Sequence, residues 1–306
     1  MINFENLSFN GQYLRALGLA AQGQHVTPSR VGDVINMGQA FFDIEPNDPR
    51  IIFLHQRRLN ALFAVVEGCW VLEGSNDLAP LSREIASYGE FSDDGITLNG
   101  AYGYRLRSHF NVDQIDRGLD ILRRDPDSRR VVLSLYHVGD LGKQSKDIPC
   151  NTSIFIKIVD RKLDLTVINR SNDLYLGVPY NVFTFGLLQR YLAAKLGVEI
   201  GNQRHFTDSL HLYLRDKPKA EAVFRSNHLA EVEETSARFD WGYSSPIVDS
   251  AEIILRGDFQ AVACDSLRRF LLWLSAADRT DTAPQGYNDG FYDFLADRVI
   301  GRRATR

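Results

Sequence analysis

Cysteine is scarce in this chain of 306 residues: only Cys69, Cys150 and Cys264 occur, far apart and without a CxxC pair. Disulfide frameworks and structural zinc sites need paired or clustered thiols, so we expect neither of them and no metal site. Because disulfides are rare in reducing compartments, the same scarcity favours a cytoplasmic location.

Long apolar runs and an excess of positive charge are also missing. Runs such as residues 61–66 are far shorter than the roughly 20 residues that cross a bilayer, and residues 1–11 do not have the pattern of a secretory leader. The formal net charge of −4 argues against general nucleic-acid binding, although a local arginine cluster could hold a phosphate. We therefore expect no membrane partner and no nucleic-acid partner.

Chemically reactive side chains are concentrated in residues 149–181, PCNTSIFIKIVDRKLDLTVINRSNDLYLGVPYN. Two runs with strand character, 152–159 and 163–168, flank a polar turn at 160–162, which predicts a β-hairpin. The hairpin would bring Cys150 next to Arg170, because these residues lie just outside its two strands. A neighbouring arginine lowers the pKa of a thiol and so favours the nucleophilic thiolate. The alternative role of Cys150 is that of a small buried hydrophobic residue.

Helix and strand patterns are mixed along the rest of the chain. Helices are predicted at 11–21, 59–72, 112–124, 180–196, 216–225 and 263–277, and strands at 131–137, 203–214 and 247–257. Residues 73–112 predict a long loop of the kind that often forms sites, and residues 279–306 predict a polar tail. This order of elements favours an α+β fold, with residues 1–306 forming a single domain.

Several isolated polar residues lie in positions that call for a partner. Glu67 interrupts the apolar helix at 59–72, so we expect it to be paired, exposed or facing a cavity. His211 and Tyr213 have the same parity on a strand and should share one face of the sheet. Arg129 and Arg130 precede a strand, either as a surface pair or as a phosphate clamp, because the planar guanidinium group binds phosphate bidentately.

These residues, taken together, resemble the thymidylate synthase superfamily. The motifs follow the family order from about residue 25 to 215: Arg30, Glu67 three residues before Trp70, Leu72-Glu73-Gly74, Tyr102-Gly103, Asp127-Ser128-Arg129-Arg130, Pro149-Cys150, Arg170-Ser171-Asn172-Asp173, Leu176-Gly177-Val178-Pro179-Tyr180-Asn181 and His211-Leu212-Tyr213. Residues 216–306 match poorly and are expected to be a divergent part of the domain. The resemblance implies a mixed β-sheet flanked by helices and a homodimer formed through the sheet.

The resemblance also implies covalent one-carbon transfer, with 5,10-methylenetetrahydrofolate as co-substrate and a pyrimidine nucleoside monophosphate as acceptor. Cys150 would add to carbon 6 of the pyrimidine and activate carbon 5. Glu67 would organise water and proton transfers, Tyr102 would help to remove the carbon 5 proton, and Asn181 would read the base edge. The implied substrate-binding residues are Arg30, Arg170, Ser171, Asp173, His211, Tyr213 and, from the partner subunit, Arg129 and Arg130. The implied folate-binding residues are Asp173, Gly177 and Trp70, although Trp70 is also a simple core candidate.

Departures from the family pattern bear on the product. Asn151 replaces the family's histidine, Tyr88 or Phe91 occupies the region of a folate-packing tryptophan, and residues 300–306 do not match the family's closing peptide. Ser209-Leu210 resembles the branch of phage cytidylate hydroxymethylases. A less tightly closed site admits water, so hydroxymethylation is favoured over the methylation of thymidylate synthase proper. Asn181 favours uracil, because a carboxamide can both donate to and accept from the uracil edge. Cytosine, either sugar, and a catalytically silent nucleotide- or RNA-binding protein remain alternatives.

Overall fold

An eight-stranded mixed sheet forms the centre of the protein in a computed structural model that describes residues 1–4, 6–238 and 244–280. Its strands are β1 (Ile2–Asn3), β2 (Val26–Thr27), β3 (Val34–Ile44), β4 (Val131–Ser134), β5 (Asn151–Val159), β6 (Lys162–Asn169), β7 (Asn172–Asp173) and β8 (Glu199–Tyr213). The main order is β1-β3-β8-β6-β5-β4, with β2 beside β3 and β7 beside β8. Strands β6 and β8 run parallel, whereas β3–β8, β4–β5 and β5–β6 are antiparallel.

Helices flank this sheet, and the predicted α+β class is therefore confirmed. They are α1 (Phe9–Gln22), α2 (Ala61–Leu72), α3 (Ala79–Glu84), α4 (Tyr102–Arg107), α5 (Gln114–Arg124), α6 (Gly177–Leu196), α7 (Lys217–Arg225), α8 (Leu229–Arg238), α9 (Ser244–Asp249), α10 (Ala251–Arg256) and α11 (Asp265–Thr280). Short 3-10 helices lie at Ala86–Phe91, Val138–Gly142, Leu214–Asp216 and Phe259–Ala261. Among the described residues, none of the helices has the length and apolar character needed to cross a membrane.

The predicted hairpin is formed by β5 and β6. Val159 pairs with Lys162, and the two residues between them, Asp160 and Arg161, have φ angles of 49° and 63°. Two consecutive left-handed residues form the tight turn that matches the twist of antiparallel strands. At the open end of the hairpin, the backbone N–H of Arg170 donates to the carbonyl of Cys150 over 2.9 Å. The hairpin prediction is confirmed.

The two faces of the sheet differ in character because successive side chains alternate between them. One row across the helix-covered face consists of directly paired residues: Ile156, Leu165, Gln203 and Ile44. All four are buried, as expected of a sheet face packed against helices. The neighbouring row on the opposite face is Phe155, Thr166, Arg204 and Asp43, and Phe155 is 44% exposed.

Close helix contacts hold two site-bearing helices together. A Cβ atom on Gly103 would lie 2.3 Å from the carbonyl oxygen of Val71, so only glycine permits α4 to approach the end of α2. A Cβ atom on Gly68 would lie 2.5 Å from Leu187 Cδ1, so this glycine leaves room for the Leu187 side chain of α6. These contacts set the relative positions of Glu67 on α2 and Tyr102 on α4.

Two predictions of secondary structure are wrong. Residues 247–257 were predicted as a strand, but α9 and α10 occupy this region, and the buried Ile247, Ala251 and Ile254 follow helical spacing. The predicted loop at 73–112 contains α3, a 3-10 helix and α4. Helix α6 also begins at Gly177, three residues before the predicted start, and ends as predicted before Gly197, whose φ is 67°. The predicted tail lies largely outside the described residues, and the single domain stays a prediction.

Candidate active site

Cys150 lies at the open end of the hairpin, where Arg170 meets it as predicted. Arg170 Nη2 is 3.8 Å from Cys150 Sγ, and the same guanidinium donates to the carbonyl oxygens of Pro149 (2.9 Å) and Ile148 (3.1 Å). Burial raises the pKa of the Cys150 thiol, and the opposing effect of Arg170 does not reverse this shift. The ligand-free cysteine is therefore a protonated thiol at neutral pH, and the expected arginine effect is present but outweighed.

Arg30 reaches the same segment from the loop before β3. Its guanidinium donates to the carbonyl oxygens of Ser145 (3.0 Å) and Lys146 (2.7 Å), and its charge also lowers the pKa of Cys150. Arg30 and Arg170 both remain exposed. Two accessible guanidinium groups beside one thiol form a favourable position for an anion.

A polar cluster lies beside these arginines because β7 pairs with β8. The parallel register places Asp173 opposite His211. Ser171 Oγ is 3.4 Å from His211 Nδ1, and the rings of His211 and Tyr213 meet edge-to-face at 5.3 Å. Burial raises the pKa of Tyr213, with smaller contributions from Asp173 and Cys150. The predicted shared face of His211 and Tyr213 is confirmed.

Asp173 marks the start of the turn into α6. Its Oδ1 accepts from the backbone N–H groups of Tyr175 (2.7 Å) and Leu176 (3.2 Å), whereas Oδ2 has no hydrogen-bond partner among the described residues. Burial raises the pKa of this carboxyl group despite the two N–H donors. Gly177 is needed at this turn because a Cβ atom would lie 2.3 Å from Asn172 Oδ1.

Asn181 is held in a row of asparagine side chains. Asn151 Nδ2 donates to Asn181 Oδ1 over 3.4 Å, and Asn181 Nδ2 donates to Asn172 Oδ1 over 3.2 Å. Asn169 in turn donates to the side-chain carbonyl of Asn151. Asn151, the residue that departs from the family histidine, therefore contacts the predicted base reader directly.

Glu67 is paired, which is one of the outcomes expected for it. The Tyr88 hydroxyl donates to Glu67 Oε1 over 3.1 Å. Burial raises the pKa of Glu67 to about 7, and this hydrogen bond opposes the rise without reversing it. A carboxyl group with such a pKa can both accept and release a proton near neutral pH.

Tyr102 lies close enough to both Glu67 and Cys150, the predicted nucleophile, to interact with them electrostatically. Burial raises the pKa of its phenol, and the nearby Cys150, Asp147 and Glu67, each of which is negative when ionised, raise it further. The backbone N–H of Asn151, the residue after Cys150, lowers it. Tyr102 therefore keeps its proton at neutral pH and lies in the same charged environment as the cysteine and the glutamate.

Three predicted site residues lie apart from this group. Arg129 and Arg130 are exposed and precede β4, in which Val131 pairs with Ile156. Residue 156 lies six positions along the strand from residue 150, a separation of roughly 20 Å, so these arginines lie far from the cysteine of their own chain. Trp70 is only 4% exposed, and its Nε1 donates to the carbonyl of residue 77 over 2.8 Å. Its folate contact stays a prediction beside its evident role in the core.

The sequence did not predict the contacts of two residues of the candidate site, Tyr88 and Asp147. Tyr88 lies 21 positions from Glu67 in the chain, within the segment predicted as a loop. Asp147, three residues before Cys150, accepts from the Gly100 N–H over 2.6 Å, and burial raises its pKa. Its signal in the sequence was an acidic residue just ahead of Pro149-Cys150. Among the described residues, we find no cluster of three or more metal-ligating side chains.

Comparison with known proteins identifies the family of this chain. Residues 13–248 match the thymidylate synthase family. The chain belongs to the thymidylate synthase family. It is 41% identical over 167 residues to the deoxyuridylate hydroxymethyltransferase of Pseudomonas phage M6, a match that covers 54% of this chain and 48% of that protein. It is 38% identical over 180 residues to the deoxyuridylate hydroxymethyltransferase of Bacillus phage SP01, covering 55% and 47% respectively. The chain thus spans about half the length of these curated relatives.

Proposed function

We propose that this member of the thymidylate synthase family transfers a one-carbon unit to carbon 5 of deoxyuridine monophosphate and releases a hydroxymethylated nucleotide. The observation that carries the proposal is the thiol of Cys150, 3.8 Å from the Arg170 guanidinium and in one charged environment with Glu67 and Tyr102. The product and the base follow the names of the two phage relatives.

The nucleotide would bind with its phosphate on Arg30, Arg170 and Ser171. Both guanidinium groups are exposed and face the backbone that leads into Cys150. His211 and Tyr213 lie beside Ser171 and would contact the sugar. In this pose, carbon 6 of the base would meet the thiol, and carbon 5 would face Tyr102 and Glu67.

Covalent catalysis would begin when the Cys150 thiolate bonds to carbon 6 of the pyrimidine, which makes carbon 5 nucleophilic. Because burial raises the pKa of the thiol, a group in the site must take its proton as the nucleotide binds. Tyr102 and Glu67 would then assist removal of the proton from carbon 5 once that carbon carries the one-carbon unit. Loss of this proton, together with departure of the folate as the leaving group, would give an exocyclic methylene group on a pyrimidine still bonded to the cysteine.

The residues of the site fit the co-substrate 5,10-methylenetetrahydrofolate, which would supply the one-carbon unit. Asp173 Oδ2 has no hydrogen-bond partner among the described residues and can accept from the N–H groups of a pterin. Next to Glu67, the rings of Phe63, Tyr88, Phe91 and Tyr180 pack at centroid distances between 5.2 and 5.5 Å and form an apolar wall for a planar ring.

Uracil is the base that we propose, because Asn181 presents both a carbonyl and an amide N–H group. Uracil offers an N3–H donor and an O4 acceptor along the edge that a carboxamide matches. The contacts of Asn181 with Asn151 and Asn172 orient its amide before the nucleotide arrives. Cytosine presents the reverse order of donor and acceptor, so a fixed amide would discriminate between the two bases.

We also propose a homodimer formed through the open face of the sheet. Phe155 and Val132, each 44% exposed, lie next to each other on this face because their residues pair across β4 and β5. Exposed apolar side chains on a paired strand face favour burial against a second copy. Arg129 and Arg130, which lie far from their own Cys150, would then reach the phosphate site of the partner. The free thiols of the three cysteines support a cytoplasmic location.

The decisive experiment incubates the protein with methylenetetrahydrofolate and, separately, dUMP, UMP, dCMP and CMP, and reads each product by mass. We expect a hydroxymethyl product from dUMP. A methyl product with stoichiometric dihydrofolate would instead identify thymidylate synthase activity, and a product from dCMP would overturn the uracil assignment.

A second experiment separates the enzyme from a silent nucleotide-binding protein. A 5-fluoropyrimidine deoxynucleotide should form a covalent adduct with the protein in the presence of the folate, and Cys150→Ala should abolish it. Cys264→Ala, which removes a partly exposed thiol on a different element, is the matched control and should keep the adduct. Nucleotide binding without an adduct and without release of tritium from carbon 5 would reject the proposed catalysis.

A further inference from the structure

The side chain of Tyr88 makes a direct hydrogen bond to Glu67. Its hydroxyl lies 3.1 Å from Glu67 Oε1. The tyrosine is on the 3-10 helix Ala86–Phe91, which belongs to a segment with no other part in the proposed nucleotide site. Its ring is held between Phe63 (5.4 Å) and Phe91 (5.5 Å), so the hydroxyl is aimed by packing on both sides.

The groups around Glu67 come from three elements. Tyr88 faces it from the 3-10 helix, Tyr102 from α4, and Tyr180 and Thr184 from α6. None of these four residues carries a positive charge, and the hydroxyl groups of Tyr88 and Thr184 are the ones that stabilise the carboxylate of Glu67. A hydrogen bond to an ionised carboxyl group is stronger than one between neutral groups, and the Tyr88 hydroxyl therefore favours the carboxylate form of Glu67.

The Tyr88 hydroxyl can still accept a hydrogen bond after it donates its own hydrogen to Glu67. A phenolic oxygen has one hydrogen to donate and lone pairs that can accept. A water molecule could donate one hydrogen to this oxygen and the other to the Glu67 carboxylate. It would then be held by both members of the Tyr88–Glu67 hydrogen bond. Two to four polar partners are what an ordered water requires.

We propose that Tyr88 is the positioning residue of the hydration step: it fixes the Glu67 carboxylate and, with the same hydroxyl, holds the water that Glu67 deprotonates. This inference rests on the proposed function, and it assigns to Tyr88 a part in deciding that water reacts with the nucleotide. Phe63 and Phe91 support it only by packing against its ring.

The step balances without any further reactant. The water oxygen bonds to the exocyclic methylene carbon, and one water proton passes to the Glu67 carboxylate. The electron pair of the methylene double bond moves through carbon 5 onto the carbon 4 oxygen. It then returns to form the double bond between carbons 5 and 6, which expels Cys150 as the thiolate. The nucleotide leaves with a hydroxymethyl group, and Glu67 loses its proton to solvent in the next cycle.

The test compares Tyr88→Phe with Tyr104→Phe, which removes a phenolic hydroxyl from α4 at a residue whose ring packs against His109. Two rates are measured in a single turnover, with the enzyme in excess over tritiated dUMP and the folate present: release of tritium from carbon 5, which precedes hydration, and formation of the hydroxymethyl product. In the wild type the two should be equal. In Tyr88→Phe, product formation should fall about tenfold or more relative to tritium release, because a hydrogen bond to a charged group is lost.

The pH dependence of product formation is a second measurement that tests the role of Tyr88. Glu67 acts as the carboxylate, so product formation should fall as pH drops through its pKa, near 7. In Tyr88→Phe, loss of the hydrogen bond raises the pKa of Glu67. The acidic limb of the pH profile of product formation should therefore move by about one unit to higher pH. Tyr104→Phe should leave both the ratio and the limb at their wild-type values.

The outcomes are distinguishable from failure of the proposed function. If the wild type releases no tritium and forms no product, the enzyme assignment itself fails. If the wild type is active and Tyr88→Phe keeps a ratio near that of the wild type, whether or not both rates fall together, Tyr88 has only a structural role and the inference is overturned. A changed ratio with an unmoved acidic limb would equally overturn the positioning of Glu67 by Tyr88.

Discussion

Removal of the Asp140 carboxylate tests how the fold holds Tyr102 in the site. Arg105, one turn after Tyr102 on α4, forms a bidentate pair with Asp140 at 2.7 and 2.9 Å. The same guanidinium donates to the carbonyl oxygens of Leu135 (2.8 Å) and Asn99 (2.9 Å). The substitution Asp140→Ala leaves this cation in place and removes the carboxylate that forms an ion pair with it.

The expected loss is large because both side chains are buried, with exposed fractions of 0% for Arg105 and 4% for Asp140. Breaking a buried pair by removing one partner costs about 3–5 kcal/mol, since the remaining charge is left without compensation. Burial by itself raises the pKa of Asp140, but the hydrogen bonds from Arg105 hold it below its ordinary value. The stabilising effect is therefore complete at neutral pH and is lost as pH falls through this depressed pKa.

Equilibrium unfolding in urea, followed by circular dichroism at pH 7, measures the effect. The free energy of unfolding should fall by about 3–5 kcal/mol with little change in its dependence on urea. The matched control is Asp120→Ala, which breaks the exposed Arg123–Asp120 pair (49% and 45% exposed) and should cost less than about 1 kcal/mol. A loss below about 1 kcal/mol for Asp140→Ala would refute the reasoning.

Three further predictions concern packing, the nucleophile and the base. Gly103→Ala should lower the free energy of unfolding by about 2 kcal/mol or more, because the added Cβ would lie 2.3 Å from the backbone of α2. The control is Gly142→Ala, which has open space around it and should change the free energy of unfolding in urea little. Arg170→Gln should raise the pKa of Cys150, because it removes the nearest positive charge; iodoacetamide labelling at pH 8 should become slower, and an unchanged rate would contradict this. Asn181→Asp should reduce turnover of dUMP by about tenfold relative to dCMP, because a carboxylate accepts but does not donate; an unchanged preference in the product assay would contradict the assigned base reader.

The contacts predicted most successfully from sequence lie close together in the chain. The hairpin followed from two runs of strand character around a polar turn, and Cys150 met Arg170 because antiparallel strands return to their starting edge. The error at residues 247–257 came from a short apolar run, in which strand and helix patterns are hard to distinguish. Burial of Ile247 and Ile254 against the rest of the core selects the helix.

The sequence determined which groups the candidate site contains, and tertiary packing decided their hydrogen bonds and the direction of their pKa shifts. The sequence by itself indicated the candidate nucleophile, the arginines and the glutamate that proves to be buried, as well as the local pairing that brings Cys150 next to Arg170. It did not reveal that Tyr88 would donate to Glu67 from 21 positions away, or that burial would outweigh Arg170 at the Cys150 thiol. Hydrogen bonding and desolvation depend on which elements pack around a group, and that arrangement exists only once the sheet and its helices have assembled.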